Sequence, residues 1–117
     1  MPRPCKRRRI CAMPGAMRFG PKDRACFESE HVTMSLDEYE TIRLMDLLGF
    51  TQEEAAASMG VARTTVQAIY ESARRKLAQA LCESRELRIE GGNYILCEGR
   101  GGGCRCHRCQ SSAESAE

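Results

Sequence analysis

Between residues 97 and 110 the chain reads CEGRGGGCRCHRCQ, which sets Cys97, Cys104, Cys106 and Cys109 apart by six, one and two residues. Gly99, Gly101, Gly102 and Gly103 free the backbone to fold back, so that four sulfurs can converge on one ion. A tetrahedral thiolate site with Zn–S distances near ~2.3 Å requires that convergence. His107 is an alternative ligand, giving a Cys3His set. Arg100, Arg105 and Arg108 would offset the negative charge of a thiolate centre and lower the thiol pKa values, or could equally serve a polyanion-binding surface. Zinc is the first expectation, because structural zinc commonly stabilises small domains with thin cores. An iron–sulfur cluster is the second, although the spacing matches neither common ferredoxin pattern. The plain alternative is a glycine-rich solvated tail with unliganded thiols. Disulfides are a weaker reading, since a Cys-x-Cys pair closes a strained ring. Cys5, Cys11 and Cys26 form a looser second set, and Cys82 reads as a small apolar residue at a helix end.

The other chemistry is positive charge. The net charge of +2 hides strong segregation. Residues 1–34 hold eight basic and three acidic residues, 35–60 hold one and six, 61–81 hold four and one, and 82–117 hold five and six. The two basic blocks are candidate polyanion contacts, set against the plainer reading of a solvated charged face.

Residues 1–30 hold all four prolines and show no helical period, so they are expected to form an irregular basic arm. HVTMS, residues 31–35, reads as a short strand or extended lead-in. Ser35-Leu36-Asp37-Glu38 fits a capping box, and Leu36, Tyr39, Ile42, Met45 and either Leu47 or Leu48 follow at helical spacing up to Gly49. Thr51-Gln52-Glu53-Glu54 is a second capping box, opening a short alanine-rich helix that Gly60 stops. A longer helix is expected from about Arg63 to Leu81, with Val66, Ile69, Tyr70, Ala73, Leu77, Ala80 and Leu81 as its apolar stripe. LRIEGGNYIL, residues 87–96, alternates on both sides of Gly-Gly-Asn and predicts a β-hairpin that leans on the helices or pairs with the arm. The expected fold is mainly α: a helix-turn-helix domain of three helices over 31–86, a hairpin over 87–96, the arm over 1–30, a cysteine-rich segment over 97–109 and a disordered tail over 110–117.

A helix-turn-helix needs a small residue where its helices cross, a residue tolerating positive φ in the turn, and apolar anchors for the second helix. Ala56, Gly60, Val61, Val66 and Ile69 stand at those offsets. The second helix is the basic one. Arg63, Thr64, Thr65 and Gln67 in its first turns offer side chains able to bond base edges or phosphates, while Arg74 and Arg75, two to three turns on, suit the DNA backbone. Arg7, Arg8 and Arg9 in the arm suit phosphates or a minor groove. A helical hairpin serving only as scaffold is the plainer reading.

The run SLDEYETIRLMDLLGFTQEEAAASMGVARTTVQAIYESARRKLAQAL resembles the bacterial and archaeal UPF0251 (DUF134) family of predicted DNA-binding proteins, whose helix-turn-helix is similar to region 4 of sigma-70-type factors. RRRICAMPGAMRFGP before it and LRIEGGNYIL after it extend the resemblance over about residues 3–96. Ala62 departs from the family pattern, where a Ser commonly caps the recognition helix. The resemblance implies this fold and binding to double-stranded DNA.

No nucleophile with a base, paired carboxylates or phosphate loop is evident, so an enzyme is not expected. Nor is a small-molecule substrate. No run approaches the ~20 apolar residues of a membrane span, and a cytoplasmic protein is expected. The function expected is a sequence-specific DNA-binding regulator, dimeric because one recognition helix covers little DNA, with a cysteine site that is structural or senses metal or redox state. The alternative is a metal-handling or iron–sulfur accessory protein whose helices bind a protein partner.

Overall fold

The computed structural model of the chain describes residues 8–25 and 30–96. Its elements run β1 (Arg8–Ile10), β2 (Arg18–Phe19), β3 (His31–Met34), α1 (Leu36–Thr41), α2 (Gln52–Met59), α3 (Arg63–Cys82), β4 (Glu86–Ile89) and β5 (Tyr94–Leu96), and a π-helical stretch, Ile42–Leu47, continues α1. The protein is mainly α, with small strands drawn from both ends of the described chain.

Both capping boxes form. The Glu38 and Glu54 carboxylates accept the N–H of Ser35 and of Thr51, each at 2.9 Å, and the two hydroxyls accept N–H groups three residues on at 3.3 and 3.1 Å. Past α1 the helix widens, and the Leu48 N–H donates to the Arg43 carbonyl five residues back at 3.0 Å. Gly49, at φ +78°, then turns the chain. Of the two leucines that could continue the first apolar stripe, Leu48 packs on the core and Leu47 faces solvent.

The five described strands make two small sheets. β4 lies between β3, parallel to it, and β2, antiparallel. Val32, Met34, Leu87 and Ile89 fill one face of the β3–β4 pair and are buried beneath the helices, as strand alternation requires. β5 pairs with β1 in parallel, Ile10 opposite Leu96. The predicted hairpin is therefore a strand–turn–strand whose strands pair with the N-terminal segment and not with each other. The cause is docking of the turn: the Gly91 carbonyl accepts the Leu36 N–H at 2.9 Å. Gly92, at φ +102°, comes so close that a Cβ there would stand 2.6 Å from Asp37 Oδ1.

The arm is not wholly irregular either, since β1 and β2 belong to it. Ile10 is fully buried with Val32, Met34, Leu36, Ala73, Ala80, Leu87 and Ile89 in one apolar cluster. The next residue, Cys11, enters a second cluster with Leu44, Ala55, Ala56, Met59 and Val66. Two adjacent side chains thus pin the strand across both halves of the core. The Cys11 N–H donates to Glu40 Oε2 at 2.9 Å, and Arg43 clasps the same buried carboxylate through two 2.8 Å bonds. With side-chain exposures of 4% for Arg43 and 0% for Glu40, this is an interior ion pair.

Candidate nucleic-acid interface

α2 presents Ala55, Ala56, Ser58 and Met59 inward, a narrow surface against which α3 packs closely. Gly60 ends α2 in the left-handed conformation, φ +69°, ψ +36°. The Val61 N–H reaches back to the Ala56 carbonyl at 3.1 Å and the Gly60 N–H to Ala57 at 3.4 Å. This is the paired bonding of a Schellman turn, and Val61 packs beneath it on the second cluster. The chain then enters α3 at Arg63, with Val66, Ile69 and Ala73 buried along one side.

That rotation decides where the predicted contact residues face. Arg63, Thr64 and Gln67 are exposed and Thr65 is half-buried. They share the first two turns of α3: Thr64 lies across the helix from the anchors Val66 and Ile69, Arg63 and Gln67 flank that outer side, and Thr65 borders the anchor face. Ala62 at the N-cap makes no side-chain bond, unlike Ser35 and Thr51 on the other helices. The first amides of α3 are thus left without a side-chain cap, and they carry the positive end of the helix dipole.

Arg74 and Arg75 are exposed further along. With Gln52, Gln67, Tyr70, Glu71 and Ala78 they line an open depression of about 540 Å³. Arg74 is held in place. Its guanidinium lies 5.3 Å over the Tyr70 ring, and its Nε is 3.8 Å from Asp46 Oδ2. The Tyr70 hydroxyl donates to Asp46 Oδ1 at 2.6 Å. That bond, with some burial and the carboxylate's charge, holds the Tyr70 phenol above its ordinary pKa. Sequence reasoning missed Asp46 and placed Tyr70 simply in the apolar stripe; no local motif links residues 24 positions apart.

The third cation of the RRK run turns inward. Lys76 Nζ meets Glu38 Oε1 at 2.7 Å, and the Ser72 hydroxyl donates to Glu38 Oε2 at 2.5 Å. Burial alone would raise the Glu38 carboxyl; the bonds from Lys76, Ser72 and the Ser35 amide outweigh it and hold the group below the ordinary carboxylate range. Glu38 therefore caps α1 and ties it to the middle of α3.

Of the predicted arm contacts, Arg8 and Arg9 stand in β1 and not on a free arm, because Ile10 and Cys11 anchor the strand. Arg8 Nε is 4.0 Å from Asp37 Oδ2. The Arg9 guanidinium comes to the turn between α2 and α3, 3.9 Å from where a Cβ on Gly60 would stand. Arg7, the metal ligands Cys97, Cys104, Cys106 and Cys109, the alternative ligand His107, and the tail over 110–117 lie outside the described residues. Cys11 is buried and Cys82 exposed. Among the described residues no three His, Cys, Asp or Glu side chains gather as a metal site, and no helix is long and apolar enough to cross a membrane.

A family model described as "Protein of unknown function DUF134" matches residues 1–97, which takes in every described strand and helix. The chain belongs to the DUF134 family. Among its DUF134 relatives, a UPF0251 protein of Desulfitobacterium hafniense is 58% identical over 104 residues, covering 89% of this chain and 83% of that one. A UPF0251 protein of Halothermothrix orenii is 42% identical over 97% of this chain and 82% of its own length. Another, of Moorella thermoacetica, is 44% identical over 93% and 71%. No solved structure matches the chain significantly.

Proposed function

We propose that this DUF134 chain is a sequence-specific DNA-binding protein of the transcription-regulator kind, acting by binding and not by catalysis. The observation that carries the reading is the outward face of α3. Arg63, Thr64 and Gln67 are exposed on a helix start without a side-chain cap, directly after a turn that seats the opposite face on α2. An α-helix fits the major groove, where Arg reads guanine and Gln reads adenine in bidentate fashion. The free amides of the first turn add a phosphate contact.

Arg74 and Arg75 meet the flanking phosphates in this reading, with Arg74 pre-set by Tyr70 and Asp46. Arg9, beside the Gly60 turn, supplies a further phosphate contact, Arg8 stands next to it in β1, and Arg7 precedes them in sequence as a third basic residue. Two copies bind together, since one recognition helix covers too little DNA for tight specific binding. The partner is double-stranded DNA inside the cytoplasm.

The cysteine segment that follows β5 completes the proposal. Four thiolates, or three with the His107 imidazole, form a donor set suited to zinc, with an iron–sulfur cluster as the second choice. The segment follows directly on β5, which pairs in parallel with the strand that carries Arg8 and Arg9.

Selection of bound duplexes from a random pool, with and without a metal chelator, tests both parts. Enrichment of a defined motif supports the DNA reading, and loss of enrichment on chelation supports a metal that acts on binding. A pool that stays random at low salt, alongside stoichiometric metal in the purified chain, would instead favour a metal-handling protein that uses its helices for a protein partner.

A further inference from the structure

The outward line of α3 runs on beyond Gln67. At about 100° per residue, Thr64, Gln67, Ala68 and Glu71 fall within an arc of about 100° and rise about 10 Å along the helix, the height of about three stacked base pairs. All four are exposed, and the buried Val66, Ile69 and Ala73 point the other way. A helix lying along a major groove brings side chains to base edges at the same spacing of i, i+3, i+4 and i+7. Glu71 is the charged member of the line, and it stands among cations: with Gln67, Arg74 and Arg75 it lines the open depression that Gln52 of α2 also borders. Arg74, three residues on, is the neighbour a helical carboxylate ordinarily takes, but Asp46 and the Tyr70 ring hold that guanidinium. Among the described residues no hydrogen bond or ion pair claims the Glu71 carboxylate. It remains an open acceptor on the proposed reading face.

We infer that Glu71 is a specificity-determining residue, which accepts a hydrogen bond from the N4 amino group of a cytosine in the major groove. An ionised carboxylate can only accept. Guanine presents O6 and N7 in that groove and thymine presents O4, so either base sets acceptor against acceptor; cytosine presents the N4 donor. Adenine sets its N6 donor beside the N7 acceptor, an edge that suits an amide better than a carboxylate. Surrounding phosphates repel Glu71 as well, and only the bond to cytosine offsets that repulsion. In the DNA reading above, on which this rests, Arg74 and Arg75 hold phosphates of any sequence. Glu71 decides which sequence is tolerated at close approach, so it contributes discrimination and costs affinity for every other duplex. Ala68, on the same line, carries only a methyl group and leaves the carboxylate room to reach the base.

Selection of bound duplexes from a random pool by the full-length chain, in parallel with Glu71→Ala and Glu71→Gln, is the experiment. The wild-type motif is expected to contain a C·G pair that E71A leaves unspecified, with the rest of the motif unchanged. On duplexes differing only at that pair, the wild type should prefer C·G by about tenfold or more, and E71A should bind all four within about twofold. E71Q, nearly the same in shape, should move the preference there from cytosine to adenine, since an amide both donates and accepts. E71A should also bind a scrambled duplex more tightly than the wild type at low salt. Because Glu71 is exposed, both variants should keep the helical circular dichroism and thermal midpoint of the wild type. A wild-type motif that E71A and E71Q select unchanged would overturn the inference, make Glu71 a solvated surface charge and leave the DNA reading intact. A wild type that enriches no motif would overturn both, so the two failures are told apart.

Discussion

Among the described residues the apolar interior falls into two clusters that differ in build. The one under the strands contains Ile10, Val32, Met34, Leu36, Leu87 and Ile89, broad side chains all but one of which, Leu36 at the start of α1, are held on hydrogen-bonded strands. The one under the helix-turn-helix contains Ala55, Ala56, Met59, Val66, Leu44 and Cys11, half of them small and the rest the flexible Met59 and the branched Val66 and Leu44. The first clamps the C-terminal half of α3 through Ala73 and Ala80; the second seats its N-terminal half through Val66. One half of the helix is thus fixed by a scaffold, and the other is brought close to a slender partner so that its outer face stands free. Small residues are what permit that close approach.

Removing Glu40 should produce the largest effect, because it joins the clusters by holding both the Cys11 amide and the interior Arg43. Glu40→Ala takes the carboxylate from a buried guanidinium and from the Cys11 amide and is expected to cost about 3–5 kcal/mol in urea unfolding; a cost under about 1 kcal/mol would show that the junction is not structural. Next come Met34→Ala in the first cluster and Met59→Ala in the second, both essentially fully buried, at about 2–5 kcal/mol each. If β1 couples the clusters, both variants should keep one unfolding transition, whereas a second, lower transition in M59A alone would separate them.

The two turn glycines sharpen the contrast. Gly92→Ala meets positive φ and a Cβ crowded by Ser35 and Asp37, so about 2–3 kcal/mol is expected; Gly60→Ala meets positive φ with only an ordinary contact to Arg9 Nη2 at 3.9 Å and should cost about 1 kcal/mol. Equal losses by thermal melting would mean that the docked turn at Gly92 is not the tighter site. Smallest in magnitude is the pH effect of Glu38. Its folded carboxyl lies below its unfolded value, so the ionised group contributes stability that is full above about pH 4.5 and is lost as pH falls through the folded pKa. Glu38→Gln should flatten that acid limb of the stability curve, and an unchanged limb would assign it to other carboxylates.

Local signals were the readable part of the fold. Both capping boxes, the stop at Gly60 and the span of α3 follow from a few neighbouring residues, and the anchors Val66 and Ile69 follow from helical period. For the same reason the exposed Arg63–Gln67 face was readable in the sequence. Pairing between distant segments was not. Gly91-Gly92 marks a turn, but nothing local says that β5 would choose β1, or that β4 would lie between β2 and β3. Arg8 and Arg9 read as a free arm, because only the completed core shows Ile10 and Cys11 anchored. Glu40 and Arg43 read as ordinary helix charges, and Asp46 carried no motif at all, since their roles arise from contacts with other elements. Leu81 fitted the stripe by spacing, yet the stripe narrows where Leu77 and Ala80 alone meet the sheet.

The central claim, that the N-terminal face of α3 reads DNA, is tested most directly by fluorescence anisotropy on a selected duplex across a salt series. Arg63→Ala is expected to cost about 1–3 kcal/mol on the selected site and to relax its preference over a scrambled duplex, while Arg74→Ala should weaken both duplexes alike and reduce the salt slope by about 1. Binding of the selected duplex by Arg63→Ala with wild-type affinity, or no binding by the wild type even at low salt, would contradict the account.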